Sequence, residues 1–189
     1  MRYILASKSP RRAELLKGIG LNFKIIPSNV DESIVSTNLK PEDYCVKLAQ
    51  LKSNDISSKY LDFTIIGADT IVYINQKILN KPKNFIEASK MLSLLSNNTH
   101  QVFTGVSIKN INLDIEINFY EKTEVTFNKL SENEISKYIN DFRPFDKAGG
   151  YGIQDGSKVF IQKINGSYEN IIGFPIAKFY QLTKDISSL

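Results

Sequence analysis

Cysteine, histidine and long apolar runs are scarce in this sequence, and each shortage argues against a class of protein. A single cysteine, Cys45, cannot form an intramolecular disulfide and cannot assemble a thiolate metal site by itself. No apolar run approaches the length that crosses a bilayer, and the apolar stretch at residues 3–6 is too short for a signal peptide. We therefore expect a soluble protein of the reducing cytoplasm.

Repeats and blocks of like charge are also missing from the sequence. The chain has 189 residues, which is enough to bury a hydrophobic core, and we expect residues 1–189 to form a single domain. The net charge is +4 and the sequence pI is about 9.0, with basic residues scattered along the chain. This charge distribution suits binding of a small polyanion better than binding of long duplex DNA.

The helix signals are clear at three points. Ser9-Pro10 combines a hydroxyl cap with a proline in the first turn, which predicts a helix start. Asn84 with Glu87, and Ser131 with Glu134, have capping-box spacing and predict two further helices. In the third of these helices the spacing predicts that Tyr138 and Phe142 lie in the core.

Strand patterns alternate with these helices. Apolar runs predict strands at residues 63–67 and 71–74, and long alternating segments at 101–109 and 114–127 predict an antiparallel hairpin. A further strand is expected at 158–164. Because helices and strands interleave around a long hairpin, the sequence predicts a mixed α/β sheet flanked by helices.

The first candidate for chemistry is the segment from Ser7 to Arg12, where a predicted strand meets the start of a predicted helix. It carries hydroxyls at Ser7 and Ser9 and guanidinium groups at Arg11 and Arg12. A helix N-terminus presents unpaired N–H groups and partial positive charge, so these side chains predict a phosphate site. The alternative is a capped surface helix with solvated arginines.

The second candidate is Lys52, which falls within an apolar stripe of a predicted helix formed with Cys45, Leu48, Ala49 and Ile56. Such a lysine either extends to water at the rim of the core or opens into a pocket where its ammonium meets phosphate.

The third candidate is Gly67-Ala68-Asp69-Thr70, in which a predicted strand ends on a carboxylate followed by a hydroxyl. Small residues there allow a ligand to approach the backbone. Asp69 is a candidate base or metal ligand, and the pair Asp31-Glu32 offers a second carboxylate. The alternative reading is that Asp69 is a turn residue.

Loops supply the remaining candidates, Lys81 before Pro82, Lys147 after Asp146, and a glycine-rich run that ends at Gln154. No P-loop or dinucleotide-binding glycine spacing is present. We expect the lone His100 to be a strand-edge or turn residue rather than a catalyst, and the lack of a second His or Cys beside it argues against zinc chemistry.

Taken in order, several short motifs resemble the Maf family of nucleotide pyrophosphatases. They are Ser-x-Ser-Pro-Arg-Arg at 7–12, Ala-Asp-Thr at 68–70, Lys-Pro at 81–82, Thr-Gly-Val at 104–106, Asp-Lys-Ala-Gly at 146–149 and Tyr-Gly-Ile-Gln at 151–154. The resemblance implies a strongly twisted mixed sheet like that of inosine triphosphatases, with a cleft between two lobes.

The resemblance also implies a role for each matching position. Asp69 is implied as the catalytic proton acceptor, and Glu32 and Asp69 as ligands of a divalent cation, Mg²⁺ or Mn²⁺. Substrate choice is implied at three positions, Arg11, Thr70 and Gln154. Phosphate binding is predicted for Ser7, Ser9, Arg12, Lys52, Lys81 and Lys147.

The substrate implied is dTTP or UTP, including modified pyrimidine nucleotides, cut to the monophosphate and pyrophosphate. Family members that prefer 7-methyl-GTP have tryptophan at the position of Arg11 and glutamate at that of Gln154. The Gln154 amide can both accept a hydrogen bond from a pyrimidine N3–H and donate one to a carbonyl, whereas a glutamate can only accept. A homodimer also suits the family, and neither a membrane nor a nucleic-acid partner is expected.

Two other functions remain open at this point. The basic pI and the paired arginines also suit a nucleic-acid-binding or cell-division regulatory protein without hydrolase activity, although no recognised nucleic-acid motif is present. A phosphatase that releases orthophosphate would differ only in its product.

Overall fold

The computed structural model of this protein describes residues 1–186 and divides into two compact units. The first unit comprises residues 1–70, 104–121 and 173–186. The second comprises Ile71–Phe103 and Lys122–Ile172.

Strands and helices alternate along the chain. The strands are β1 Tyr3–Leu5, β2 Phe23–Ile25, β3 Thr64–Ile74, β4 Lys77–Leu79, β5 Thr99–Asn110, β6 Ile115–Phe127 and β7 Ile161–Asn165. The helices are α1 Pro10–Gly18, α2 Pro41–Ser57, α3 Phe85–Leu95, α4 Glu132–Phe142, α5 Tyr168–Ile172 and α6 Ile176–Thr183. Short 3-10 helices lie at Glu32–Ile34, Ala148–Gly150 and Gly156–Phe160.

The strands form one seven-stranded sheet in the order β2-β1-β3-β5-β6-β7, with β4 paired to β3. Strand β1 is parallel to both β2 and β3, whereas β4 and β7 are antiparallel to their neighbours. The predicted mixed α/β sheet flanked by helices is therefore confirmed. The predicted cleft between two lobes stays a prediction.

Each unit has its own hydrophobic core. In the first, α1 and α6 pack on the sheet through a buried cluster that includes Leu5, Leu16, Ile66, Phe174 and Phe179. In the second, α3 and α4 cover the sheet through a larger cluster, which includes Val72, Leu92, Val125, Phe127 and Tyr138. Among residues 1–186, no helix is both long enough and apolar enough to cross a membrane.

The helix starts were predicted correctly. Ser9 caps α1 through its hydroxyl, and Ser131 and Glu134 form a complete capping box at α4. The prediction that Phe142 lies in the core was wrong. It is 44% exposed in the last turn of α4, where its ring stacks on Tyr138.

The strand predictions were wrong at two places. Residues 63–67 and 71–74 belong to one continuous strand, β3, so Asp69 lies within a strand and not at its end. Within β3 the carboxylate of Asp69 is paired with the ammonium of Lys52. The strand predicted at 158–164 begins only at Ile161, because Gly156–Phe160 forms a 3-10 helix.

Candidate active site

Asp69 forms a buried ion pair with Lys52 of α2. The Lys52 ammonium nitrogen lies 2.6 Å from Oδ1 of Asp69, and both residues are less than a tenth exposed. The same nitrogen lies 2.8 Å from Oε1 of Glu32, whose side chain is half exposed. Buried charges are tolerated when they are paired and hydrogen-bonded, so the two carboxylates account for a lysine in an apolar stripe.

Gly67 allows α2 to lie close enough for this pairing. Residues i and i+2 of a strand point to the same face, so Gly67 and Asp69 both face α2. A methyl group on Gly67 would collide with the carbonyl oxygen of Ala49 and lie 2.9 Å from the backbone nitrogen of Ser53. The missing side chain at Gly67 thus brings the helix segment that carries Lys52 against β3.

Arg12 is buried and donates three hydrogen bonds to protein oxygens. Its Nη1 donates to Oγ of Ser7 at 3.1 Å, and its Nη2 donates to Oγ1 of Thr70 at 3.0 Å. Its Nε donates to the carbonyl oxygen of Gly173 at 2.9 Å. Burial lowers the pKa of Arg12, and the nearby charge of Asp69 opposes that shift. Arg12 therefore links the end of β1, strand β3 and the segment before α6.

The start of α1 is organised by its two serines. Oγ of Ser9 accepts from the backbone nitrogen of Arg12 at 3.4 Å, and Oγ of Ser7 accepts from the backbone nitrogen of Ser9 at 3.2 Å. Arg11 follows in the first turn, half-buried, and its charge also lowers the pKa of Arg12. The segment thus gathers two guanidinium groups and two hydroxyls at one helix start.

The hydroxyl of Thr70 is held by several partners. Besides accepting from Arg12, Oγ1 of Thr70 lies 2.9 Å from Oγ1 of Thr104 and donates to Gly173 O at 3.4 Å. Thr104 is fully buried on β5. Sequence reasoning did not assign Thr104 a role, although its Thr-Gly-Val segment was part of the family pattern.

Three further predicted site residues belong to the second unit. Lys81 and Gln154 are exposed, and Lys147 is half-buried. The Lys147 ammonium lies 2.8 Å from Oδ1 of Asp146 and 3.7 Å from Oδ2 of Asp155. These contacts fix Lys147 beside the turn that carries Gln154.

The segments that carry Lys81 and Lys147 are joined by a backbone hydrogen bond. The nitrogen of Gly149 donates to the carbonyl oxygen of Asn80 at 3.1 Å. Gly149 has a φ of 68°, and a methyl group there would lie 2.8 Å from the side chain of Val72. The two lysines are therefore carried by loops of fixed relative position within the second unit.

A hard divalent cation fits the carboxylates of the first unit. Within residues 1–186, no group of three or more His, Cys, Asp or Glu side chains is arranged to hold a metal ion. Mg²⁺ is commonly held by only one or two carboxylates together with substrate phosphates, so a smaller set suffices. Oxygens of Glu32 and Asp69 both lie within hydrogen-bond distance of the Lys52 ammonium, so these two carboxylates are the residues that could hold such a cation.

Cys45 and His100 are both buried, and neither carries a charge near pH 7. Burial raises the pKa of the Cys45 thiol, which keeps it protonated. His100 lies in β5, 1% exposed, with Nε2 at 2.8 Å from the Tyr151 hydroxyl, so its prediction as an edge or turn residue was wrong. Burial lowers the pKa of His100 to about 3, and its ring is neutral near pH 7.

The fold is similar to that of a solved HAM1 protein from Coxiella burnetii. The two structures align with a TM-score of 0.57 over 98% of this chain and 99% of that one, at 13% sequence identity. At this identity the likeness concerns the fold alone. The chain therefore has the α/β fold of HAM1 proteins.

The sequence comparison identifies the family. Residues 2–186 match the family described as Maf-like protein, and the chain belongs to that family. A Bacillus thuringiensis subsp. konkukian protein named dTTP/UTP pyrophosphatase is 45% identical over 186 residues, covering 98% of this chain and 96% of the relative. A Bacillus pumilus protein of the same name is 50% identical over 175 residues, covering 93% and 91%.

Proposed function

We propose that this chain hydrolyses dTTP and UTP to the nucleoside monophosphate and pyrophosphate. The observation that carries the proposal is the buried Asp69 carboxylate, paired with Lys52 at 2.6 Å, in a chain of the Maf family. The Bacillus relatives named dTTP/UTP pyrophosphatase, at 45% and 50% identity, support the same substrates.

In the proposed reaction Asp69 is the general base. Its carboxylate takes a proton from a water molecule whose oxygen attacks the α-phosphorus. A new P–O bond forms there, the bond from the α-phosphorus to the bridging oxygen breaks, and pyrophosphate leaves with the electron pair. A well-placed base contributes roughly 10²- to 10⁴-fold to the rate.

Cationic side chains supply most of the remaining stabilisation. Charge spreads over the phosphate oxygens in the transition state, and fixed donors that face those oxygens lower its free energy. We assign this role to Arg11, Arg12 and Lys52 in the first unit and to Lys81 and Lys147 in the second. The Ser7 hydroxyl already accepts two hydrogen bonds, so its own O–H is the part that can donate to a phosphate. Ser9 contributes through the capped start of α1.

Glu32 and Asp69 would hold the divalent cation, Mg²⁺ or Mn²⁺. When bound, the cation would neutralise charge on the triphosphate. The oxygen donors suit these hard ions, and the convergence of both carboxylates on one ammonium supports the assignment.

Base selection is assigned to Gln154, Thr70 and Arg11. The Gln154 amide offers one acceptor and two donors, which match the N3–H and a carbonyl oxygen of uracil or thymine. A wrong base would leave these groups unpaired, which is costly once water is excluded.

The proposal also includes a cytoplasmic location and a homodimer. It further holds that residues 1–189 act as a single catalytic domain. A nucleic-acid-binding or cell-division role without hydrolysis is not favoured by the relatives.

Product analysis tests the proposal. The purified protein is incubated with a nucleotide panel and Mg²⁺ or Mn²⁺, and the products are separated by ion exchange. We expect UMP or TMP with pyrophosphate, and in ¹⁸O-labelled water we expect the label in the monophosphate. Release of orthophosphate with UDP, or label in pyrophosphate, would contradict attack at the α-phosphorus.

A further inference from the structure

Gln154 occupies a tight turn in the second unit. The backbone nitrogen of Asp155 donates to the carbonyl oxygen of Gly152 at 3.1 Å, which places Ile153 and Gln154 at the two central positions of a β-turn. Ile153 is 3% exposed, whereas Gln154 is exposed. The turn therefore anchors one side chain in the core and presents the next one outward.

One phenol holds both ends of this turn. The Tyr138 hydroxyl accepts from the backbone nitrogen of Gly152 at 3.1 Å and donates to the Asp155 carboxylate, 3.0 Å from Oδ1 and 3.1 Å from Oδ2. Burial raises the pKa of Tyr138, and the Asp155 charge raises it further, so the phenol keeps the proton that it donates. Tyr138 is itself 3% exposed, stacked on Phe142 and edge-on to Phe160.

Ser157 adds a second set of bonds across the same turn. Its backbone nitrogen donates to Oδ1 of Asp155 at 3.0 Å, and its hydroxyl donates to the Gly152 carbonyl oxygen at 2.7 Å. Ser157 is fully buried. Both the first and the last residue of the turn are thus tied to buried groups, which leaves the backbone beneath Gln154 little freedom.

The same network also positions Lys147. Its ammonium lies 3.7 Å from Oδ2 of Asp155, and its stem crosses Gly152 so closely that a Cβ there would lie 2.6 Å from Cδ and Cε. Gly152 is therefore the residue that allows the lysine to pass over the turn. The Asp155 carboxylate contacts both the turn and a predicted phosphate-binding cation.

We infer that Tyr138 and Asp155 are positioning residues that set pyrimidine selectivity by fixing the turn that carries Gln154. The inference rests on the proposed function, in which the Gln154 amide meets the base. Hydrogen-bond discrimination depends on geometry, so a displaced amide loses selectivity even when the chemistry is intact. The helical spacing of apolar residues explains why the Tyr138 ring lies in the core. The hydrogen bonds of its hydroxyl join α4 to the turn at residues 152–155, which only the fold brings together.

The test compares kcat/KM for UTP and CTP, whose rings differ in the hydrogen-bonding edge. Tyr138→Phe keeps the ring and removes the hydroxyl, and Asp155→Ala removes the acceptor. We expect each to lower the UTP:CTP ratio by about tenfold or more, mainly through KM for UTP. Asp155→Asn keeps one acceptor oxygen and restores most of the ratio. Asp141→Asn breaks an exposed ion pair with Lys137 on the same helix and leaves the ratio unchanged.

A double variant separates positioning from general destabilisation. Gln154→Ala should lower the UTP:CTP ratio, and adding Tyr138→Phe should lower it no further, because both changes act through the same amide. If the wild type discriminates between UTP and CTP but Tyr138→Phe and Asp155→Ala both keep its ratio and its KM, the inference is wrong, whatever their melting temperatures. A wild type that hydrolyses neither UTP nor dTTP would overturn the proposed function, and this inference with it.

Discussion

The Lys52 ammonium lies 2.6 Å from the Asp69 carboxylate, and helix α2 thereby presents a cation to the carboxylate-bearing face of strand β3. The same ammonium reaches Glu32 at 2.8 Å, so one buried lysine compensates two carboxylates. This arrangement links stability and proposed chemistry, because any change that separates Lys52 from Asp69 affects both.

Replacing Lys52 with methionine should destabilise the protein. The substitution keeps an apolar stem but leaves the Asp69 carboxylate buried without its cation, which costs about 3 kcal/mol of unfolding free energy. Urea denaturation followed by circular dichroism measures the loss. Lys59→Met is the matched control, because it breaks an ion pair with Asp55 in which the lysine is 59% exposed, and such pairs contribute less than about 1 kcal/mol. Equal losses in both variants would contradict the buried-pair account.

Gly67→Ala should displace α2 from β3. The added methyl group has no space beside the Ala49 carbonyl oxygen and the Ser53 nitrogen, and overpacking of this kind costs about 1–3 kcal/mol. We expect a lower melting temperature together with a lower kcat for UTP. Gly18→Ala, where nothing lies within 4 Å, should be neutral or slightly stabilising. A Gly67→Ala enzyme with wild-type turnover would show that the close approach is not required.

The sequence predicted the parts of this site that depend on local patterns. Lys52 stood out because a charge interrupted an apolar helical stripe, and Ser9 stood out because it preceded a proline at a helix start. Asp69 was also recognised, but as the end of a strand. Local propensity disfavours aspartate within a strand, but in the fold β3 runs on through Asp69, whose carboxylate is paired with the Lys52 ammonium.

The tertiary hydrogen bonds were beyond sequence reasoning. Arg12 was predicted to bind phosphate, yet it also bonds the carbonyl of Gly173, 161 residues away. Tyr138 was predicted as a core residue from its helical spacing, and its contact with Asp155 gave no local signal. Such bonds depend on which segments the fold brings together, and the periodicity of apolar residues carries no information about them.

His100 should make stability fall in mildly acidic solution. Its folded pKa is about 3 against an ordinary value of 6.5, so below pH 6.5 the unfolded chain binds a proton that the folded chain does not. The contribution is absent above pH 6.5, grows as pH falls, and stops growing once the folded protein also titrates near pH 3. Between pH 7.5 and 5.5 the loss is about 1.4 kcal/mol.

The measurement for His100 is the unfolding free energy as a function of pH for the wild type and His100→Gln. Because His100 is the sole histidine of the chain, the difference between the two proteins isolates its contribution. We expect the wild type to lose about 1.4 kcal/mol relative to the variant between pH 7.5 and pH 5.5. Parallel curves would mean that His100 is not buried in neutral form.

Glu32→Gln should weaken metal binding. Removing one of the two converging carboxylates leaves a poorer oxygen site, and we expect the affinity for Mn²⁺ to fall by about tenfold or more. Mn²⁺ titration followed by electron paramagnetic resonance, with a non-hydrolysable UTP analogue present, measures binding without turnover. Asp31→Asn changes the neighbouring carboxylate, whose described contacts are with Ser33, and should leave the affinity unchanged. An unchanged Glu32→Gln affinity would remove Glu32 from the metal site.

The most direct test of the central claim is the rate of pyrophosphate release from UTP by Asp69→Asn at saturating metal and nucleotide. The amide keeps the shape of the side chain but cannot accept the proton of the attacking water, so kcat should fall by roughly 10²- to 10⁴-fold while near-UV circular dichroism stays native-like. A folded Asp69→Asn protein that releases pyrophosphate at the wild-type rate would contradict the role of Asp69 as the base.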